Sequence, residues 1–131
     1  MSRIKICGLR RPEDIAAVNE ARPDYCGFIV EYPKSRRSID RATLRELVRG
    51  LREEIVPVGV FVNAPKELVA DLLEEGTIQI AQLHGQELQE YIQELKVLTE
   101  KPLIQAFSIK SKEDVERARE SVADYILLDQ G

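Results

Sequence analysis

A chain of 131 residues, 44% hydrophobic and 32% charged, suits one globular domain with a real core, and excludes a disordered polymer or two domains. Its net charge of -4 and pI near 5.2 argue against a nucleic-acid or anionic-membrane surface. No window nears the roughly 20 apolar residues of a membrane span, Lys5 interrupts the first apolar run where a secretory signal would need continuity, and the cytoplasm is the expected compartment.

The first strand is predicted over Ile4–Cys7. It ends in a thiol, a glycine (Gly8) and a helix start marked by Pro12; that helix runs to about Ala21, with Ile15, Val18 and Ala21 facing inward. A second strand spans Tyr25–Val30. The helix after Asp40, a good N-cap, carries Leu44, Leu47, Val48 and Leu51, the stripe of a helix laid on a sheet. Val56–Val62 follows as a strand. The third helix comes after Asn63, with Pro65 in its first turn and Leu68, Val69, Leu72 and Leu73 on its buried face. Ile78–Leu83 is the fourth strand, and Leu88, Tyr91, Ile92, Leu95 and Leu98 mark the next helix. Leu103–Phe107, a helix opening at Ser111 with Val115, Ala118 and Val122 inward, and a last strand over Tyr125–Asp129 complete the chain.

Near-continuous Val, Ile and Leu runs suit parallel strands covered on both faces, and their alternation with helices means βαβ units. Two arrangements fit: an open doubly wound sheet, or a (β/α)8 barrel of which six strands are present. In both, chemistry gathers at the C-terminal strand ends. Those ends hold Cys7, the Glu31–Arg37 stretch, Asn63, His84-Gly85, Phe107-Ser108 and Asp129. Each also has a plain reading. Cys7 could be a small buried hydrophobe, His84 a loop residue, Arg36 and Arg37 surface charge, and Asn63 an N-cap. Cys26, among apolar neighbours, reads as a buried thiol, and two free thiols are expected rather than a disulfide. Asp129 follows Tyr125-Ile126-Leu127-Leu128 directly, and a carboxylate there is harder to dismiss. A phospho-receiver domain would want acids at the ends of the first and third strands, where Cys7 and Asn63 stand.

The motifs Lys5-Ile6-Cys7-Gly8-Leu9 with Pro12-Glu13-Asp14, Gly27-Phe28-Ile29, Tyr32-Pro33-Lys34-Ser35-Arg36-Arg37, Val58-Gly59-Val60-Phe61-Val62-Asn63, Gln82-Leu83-His84-Gly85 and Leu127-Leu128-Asp129 closely resemble the phosphoribosylanthranilate isomerase family in order and spacing. The resemblance implies a TIM (β/α)8 barrel. It also implies the conversion of N-(5-phosphoribosyl)anthranilate to 1-(2-carboxyphenylamino)-1-deoxyribulose 5-phosphate, an Amadori rearrangement in tryptophan biosynthesis, with no metal or organic cofactor. It assigns the base to Cys7, the acid to Asp129, binding of the anthranilate carboxylate to Arg37, and a supporting place in the substrate site to His84.

Family members add two further strands, whose loops commonly hold phosphate in such barrels. The expectation is therefore a single barrel domain over residues 1–131 that is incomplete after its sixth strand and has no phosphate site of its own. Two other readings stand beside a working isomerase. One is an inactive fragment, whose open edge strands invite self-association or a complementing C-terminal segment. The other is a non-catalytic α/β binding module of flavodoxin-like shape.

Overall fold

The computed structural model describes residues 4–84, 87 and 89–129, the last by its backbone. Leu88, expected at the head of the fourth helix, and Gly85 beside His84 lie outside the described residues. So does the Asp129 side chain. Among the described residues, the strands are β1 (Lys5–Cys7), β2 (Tyr25–Val30), β3 (Ser38–Ile39), β4 (Val56–Phe61), β5 (Ile80–Leu83), β6 (Leu103–Ser108) and β7 (Tyr125–Asp129). The helices are α1 (Pro12–Ala21), α2 (Arg41–Arg49), α3 (Lys66–Glu74), α4 (Gln89–Leu98) and α5 (Lys112–Arg119). None of them is long and apolar enough to cross a membrane.

Every pairing in the sheet is parallel, and the main path runs β1-β2-β4-β5-β6-β7, with the two-residue β3 beside β2. This strictly sequential order excludes the reordered sheet of a flavodoxin-like module. The sheet is also strongly curled. Neighbouring strands stand about 4.8 Å apart, so β1 and β5, three steps apart, would be separated by roughly 14 Å if flat. Yet Lys5 Nζ of β1 donates a hydrogen bond to Gln82 Oε1 of β5, over the top of β2 and β4. Side chains stand near perpendicular to a sheet, so these two meet only because the sheet bends toward them. The architecture is that of a (β/α)8-type barrel, seen over six consecutive strands.

Helices cover the convex face. Cys26, Phe28 and Val30 alternate along β2 and are fully buried; they join Phe61, Ala81, Leu83 and Leu103 in one core with Ile15, Leu44, Leu47, Val69, Leu72, Ile92 and Leu95. Each large side chain so buried contributes about 1.5–3 kcal/mol. The concave face is more mixed: Val58 and Val60 are buried there, beside Lys5 and Gln82.

Local signals explain the helix starts. Asp40 Oδ1 accepts from the Thr43 backbone N–H at 2.8 Å, capping α2 as expected. Asp14 accepts from the N–H groups of Arg10 and Arg11, and Asp114 from those of Lys110 and Ser111, each closing the entry to its helix.

Several expectations need correction. Asn63 is not the N-cap of α3; that position is Pro65, and Asn63 instead takes a left-handed backbone with φ 50. The bridge β3 was not expected, because two residues carry no readable period. Helix α5 ends at Arg119, so Val122 lies beyond it, and Val115 is 36% exposed. Leu98 and Ala21, the last residues of α4 and α1, are exposed as well, because a helix's final turn lies at the margin of its packed face.

Candidate active site

The C-terminal rim begins with Cys7, the last residue of β1, whose side chain is exposed. Gly8 turns the chain away with φ 83, and its N–H donates to Gly27 O at 2.9 Å, tying the turn to β2. That tie fixes the direction of the thiol. A Cβ built on Gly27 would lie 2.6 Å from Cys7 Sγ and 3.2 Å from Lys5 Cε. Cys7 and Lys5 therefore share one face of the sheet, as their spacing of two requires, and both cross over the bare backbone of Gly27.

Arg37 arrives from the next loop. Tyr32 N–H donates to Ser38 Oγ at 2.7 Å, Ser35 N–H to Tyr32 O at 3.0 Å, and Arg37 N–H to Ser35 Oγ at 3.2 Å. Arg10 Nη1 reaches Arg36 O at 3.1 Å from the other side. Held this way, the Arg37 side chain lies on Gly8, where a Cβ would meet its Cδ at 2.6 Å and its Nη1 at 2.7 Å. A thiol and a forked cation thus stand on consecutive residues of one turn.

Further round the arc, His84 follows β5, with its N–H on Phe61 O at 2.8 Å. Its Nδ1 is 3.4 Å from Nε2 of Gln82, a side chain only 4% exposed. His84 lines a cavity of about 640 Å³ with Asn63, Glu87, Ser108 and Arg117. The buried Glu87 carboxylate accepts from Asn63 N–H at 2.8 Å, which holds the left-handed turn at Asn63 in place. Asparagine tolerates that backbone better than most residues. Asp129 closes β7 and pairs in register with Ser108 of β6.

The structure brings Cys7 and Arg37 together and places His84 and Asp129 at separate stations on the same rim. It also gives a role to three residues that the motifs carry without one. Gly27 makes room for the thiol, and Lys5 and Gln82 form a polar bridge under the rim. A glycine inside a strand signals close approach of another group, and a glutamine in the apolar run Ile80-Ala81-Gln82-Leu83 was the other legible clue. Cys26 is a different thiol altogether. Burial chiefly, with Cys7 nearby and partly offset by Lys5, pushes it up to about 12, so it stays protonated and inert.

Residues 4–131 match the family model described as N-(5'phosphoribosyl)anthranilate (PRA) isomerase. The N-(5'-phosphoribosyl)anthranilate isomerase of Acetivibrio thermocellus is 42% identical over 135 residues, spanning 98% of this chain and 61% of the relative. A phosphoribosyl anthranilate isomerase solved with reduced 1-(o-carboxyphenylamino)-1-deoxyribulose 5-phosphate superposes with a TM-score of 0.83 at 36% identity, covering 98% of this chain and 65% of that one. A monomeric form of the dimeric enzyme from Thermotoga maritima gives 0.81 at 35% identity, covering 98% and 64%. The chain thus spans less than two thirds of the length of the relatives it matches. On the family match and these identities, the chain belongs to the N-(5'-phosphoribosyl)anthranilate isomerase family.

Proposed function

We propose that residues 1–131 are the first six strands of one barrel domain and carry the acid and base of an N-(5-phosphoribosyl)anthranilate isomerase. The reaction opens an aldose ring and moves a proton from C2. Opening needs a proton on the ring oxygen, and the resulting protonated imine makes the C2 hydrogen acidic. Asp129 is the acid in this reading and Cys7 the base. The observation that carries it is the seating of Arg37 on Gly8, immediately after Cys7. A planar guanidinium pairs with a carboxylate through two parallel hydrogen bonds, so an anthranilate held there would present its ribose beside the thiol. His84 supports the substrate from the far side. The bound ligand of the solved relative, a reduced phosphorylated product, suits the same chemistry. No metal or organic cofactor is needed, and two free thiols suit a reducing cytoplasm.

Turnover of N-(5-phosphoribosyl)anthranilate tests this. Cys7→Ala and Asp129→Asn should each lower kcat by about 100-fold or more, and a chelator should change nothing. Near-normal turnover in either variant would refute the assignment.

One observation favours a second reading, a catalytically silent piece that pairs through its edges. Tyr125, Ile126, Leu127 and Leu128 of β7 are all exposed, up to 61% for Tyr125, and Ile4 beside β1 is exposed at 60%. Open apolar edges template association. Size-exclusion chromatography showing a concentration-independent monomer would count against it.

A further inference from the structure

Beneath the rim, one polar chain crosses the concave face: Lys5 Nζ to Gln82 Oε1, then Gln82 Nε2 to His84 Nδ1 at 3.4 Å. Its chemistry is directional. A lysine ammonium has only hydrogens to give, so the Gln82 end that meets it must be the carbonyl oxygen. The amide NH2 is then turned toward His84, and it too has only hydrogens to give. Nδ1 of His84 must be the acceptor, without a proton, which leaves the proton of the neutral ring on Nε2.

We propose that Lys5 and Gln82 are positioning residues that hold His84 as the neutral ring protonated on Nε2, the nitrogen turned away from Gln82, so that it donates a hydrogen bond to an oxygen of the bound substrate. The last clause rests on the substrate-site reading of His84 given above; the relay itself does not. Gln82 is suited to the task because it is buried and pinned at both ends, and because the His84 backbone two residues on is fixed by its bond to Phe61 O of β4. Lys5 takes the oxygen end of this buried amide, which sets the amide's orientation. Were the amide to flip, two NH-bearing groups would face each other at Lys5, and an acceptor would face Nδ1. A donor on β1 thereby sets the tautomer of a ring just past β5.

His84 is the sole histidine of the chain, so its ring resonances are unambiguous. Two-bond nitrogen–proton correlation spectra of the 15N-labelled protein at neutral pH distinguish protonated from bare ring nitrogens. Wild type should show Nδ1 bare and Nε2 protonated. Gln82→Glu keeps the shape and the Lys5 partner but offers Nδ1 only an acceptor, so the proton should move to Nδ1. Lys5→Met frees the amide to present either end and should give a mixture. Turnover is read alongside: Gln82→Glu should lower kcat/KM about tenfold, roughly what one misdirected hydrogen bond is worth. If the tautomer inverts while turnover stays at the wild-type level, the relay stands and the substrate role of His84 falls. A wild-type ring protonated on Nδ1, or a ring unchanged in folded Gln82→Glu, would overturn the relay.

Discussion

Arg37 occupies the space that Gly8 leaves empty: a Cβ on Gly8 would stand 2.6 Å from Arg37 Cδ and 2.7 Å from Nη1, at a backbone with φ 83. Two demands therefore meet at one residue, a left-handed turn and room for a cation. Gly8→Ala should cost about 1 kcal/mol or more in a urea titration, since alanine is strained at positive φ. It should also push the guanidinium away and raise KM. An alanine variant with normal KM would separate the glycine from the substrate site and leave it a turn residue only.

Arg37 itself is exposed, so its value should lie in recognition rather than stability. Arg37→Lys keeps the charge but loses the fork that grips a carboxylate in two places. On the proposed isomerase reading, KM for N-(5-phosphoribosyl)anthranilate should rise about tenfold, what one charge-assisted bond is worth, with Tm unchanged. A clear fall in Tm would mean that Arg37 serves chiefly to hold its loop on Gly8.

The two thiols should differ sharply in a labelling experiment. Cys7 is exposed at the rim, whereas Cys26 is fully buried on the helix-covered face and held protonated by that burial. Native protein treated with an alkylating reagent at pH 8 should gain one label quickly, on Cys7, and a second only on unfolding. Rapid labelling of Cys26 would contradict its burial in the core. The same burial has a pH signature. The Cys26 thiol ionises at about 12 when folded, against 9.0 ordinarily. Its contribution is therefore full below pH 9 and lost as pH climbs from there toward 12.

Much of this was readable from residue patterns, for a physical reason. Buried parallel strands are unbroken apolar runs, and helices on them show stripes, so β2 and α1 fall where their residues place them. The grouping of Cys7, His84 and Asp129 at strand ends follows from the same alternation. What local patterns do not encode is contact across strands. Nothing in the sequence near Lys5 announces Gln82, because the meeting depends on the curl of the whole sheet. Asn63 looked like a cap because asparagine caps helices well, but its left-handed turn and the Glu87 carboxylate that holds it are set by a loop 24 residues on. The edges differ for another reason. Val115 and Leu98 carry a core-like spacing, yet the described elements cover only one side of α5 and stop at the end of α4.

Acid should weaken the fold through the helix entries. The N–H of Thr43 holds the Asp40 carboxyl below its ordinary 3.8, that of Arg10 chiefly does the same for Asp14, and that of Lys110 for Asp114. A carboxylate lowered by folding contributes stability that is present above its unfolded pKa and lost as pH falls through the folded one. All three helices should therefore lose support together below about pH 4. Asp40 offers the cleanest separation of charge from capping. Asparagine caps nearly as well as aspartate but does not titrate in this range. Asp40→Asn should keep most of the stability at pH 7 and flatten the acid limb of the Tm profile, whereas Asp40→Ala should lose stability at pH 7 and flatten it too. An acid limb as steep in Asp40→Asn as in wild type would show that other carboxylates, such as the Glu75 partner of Arg45, dominate the acid response instead.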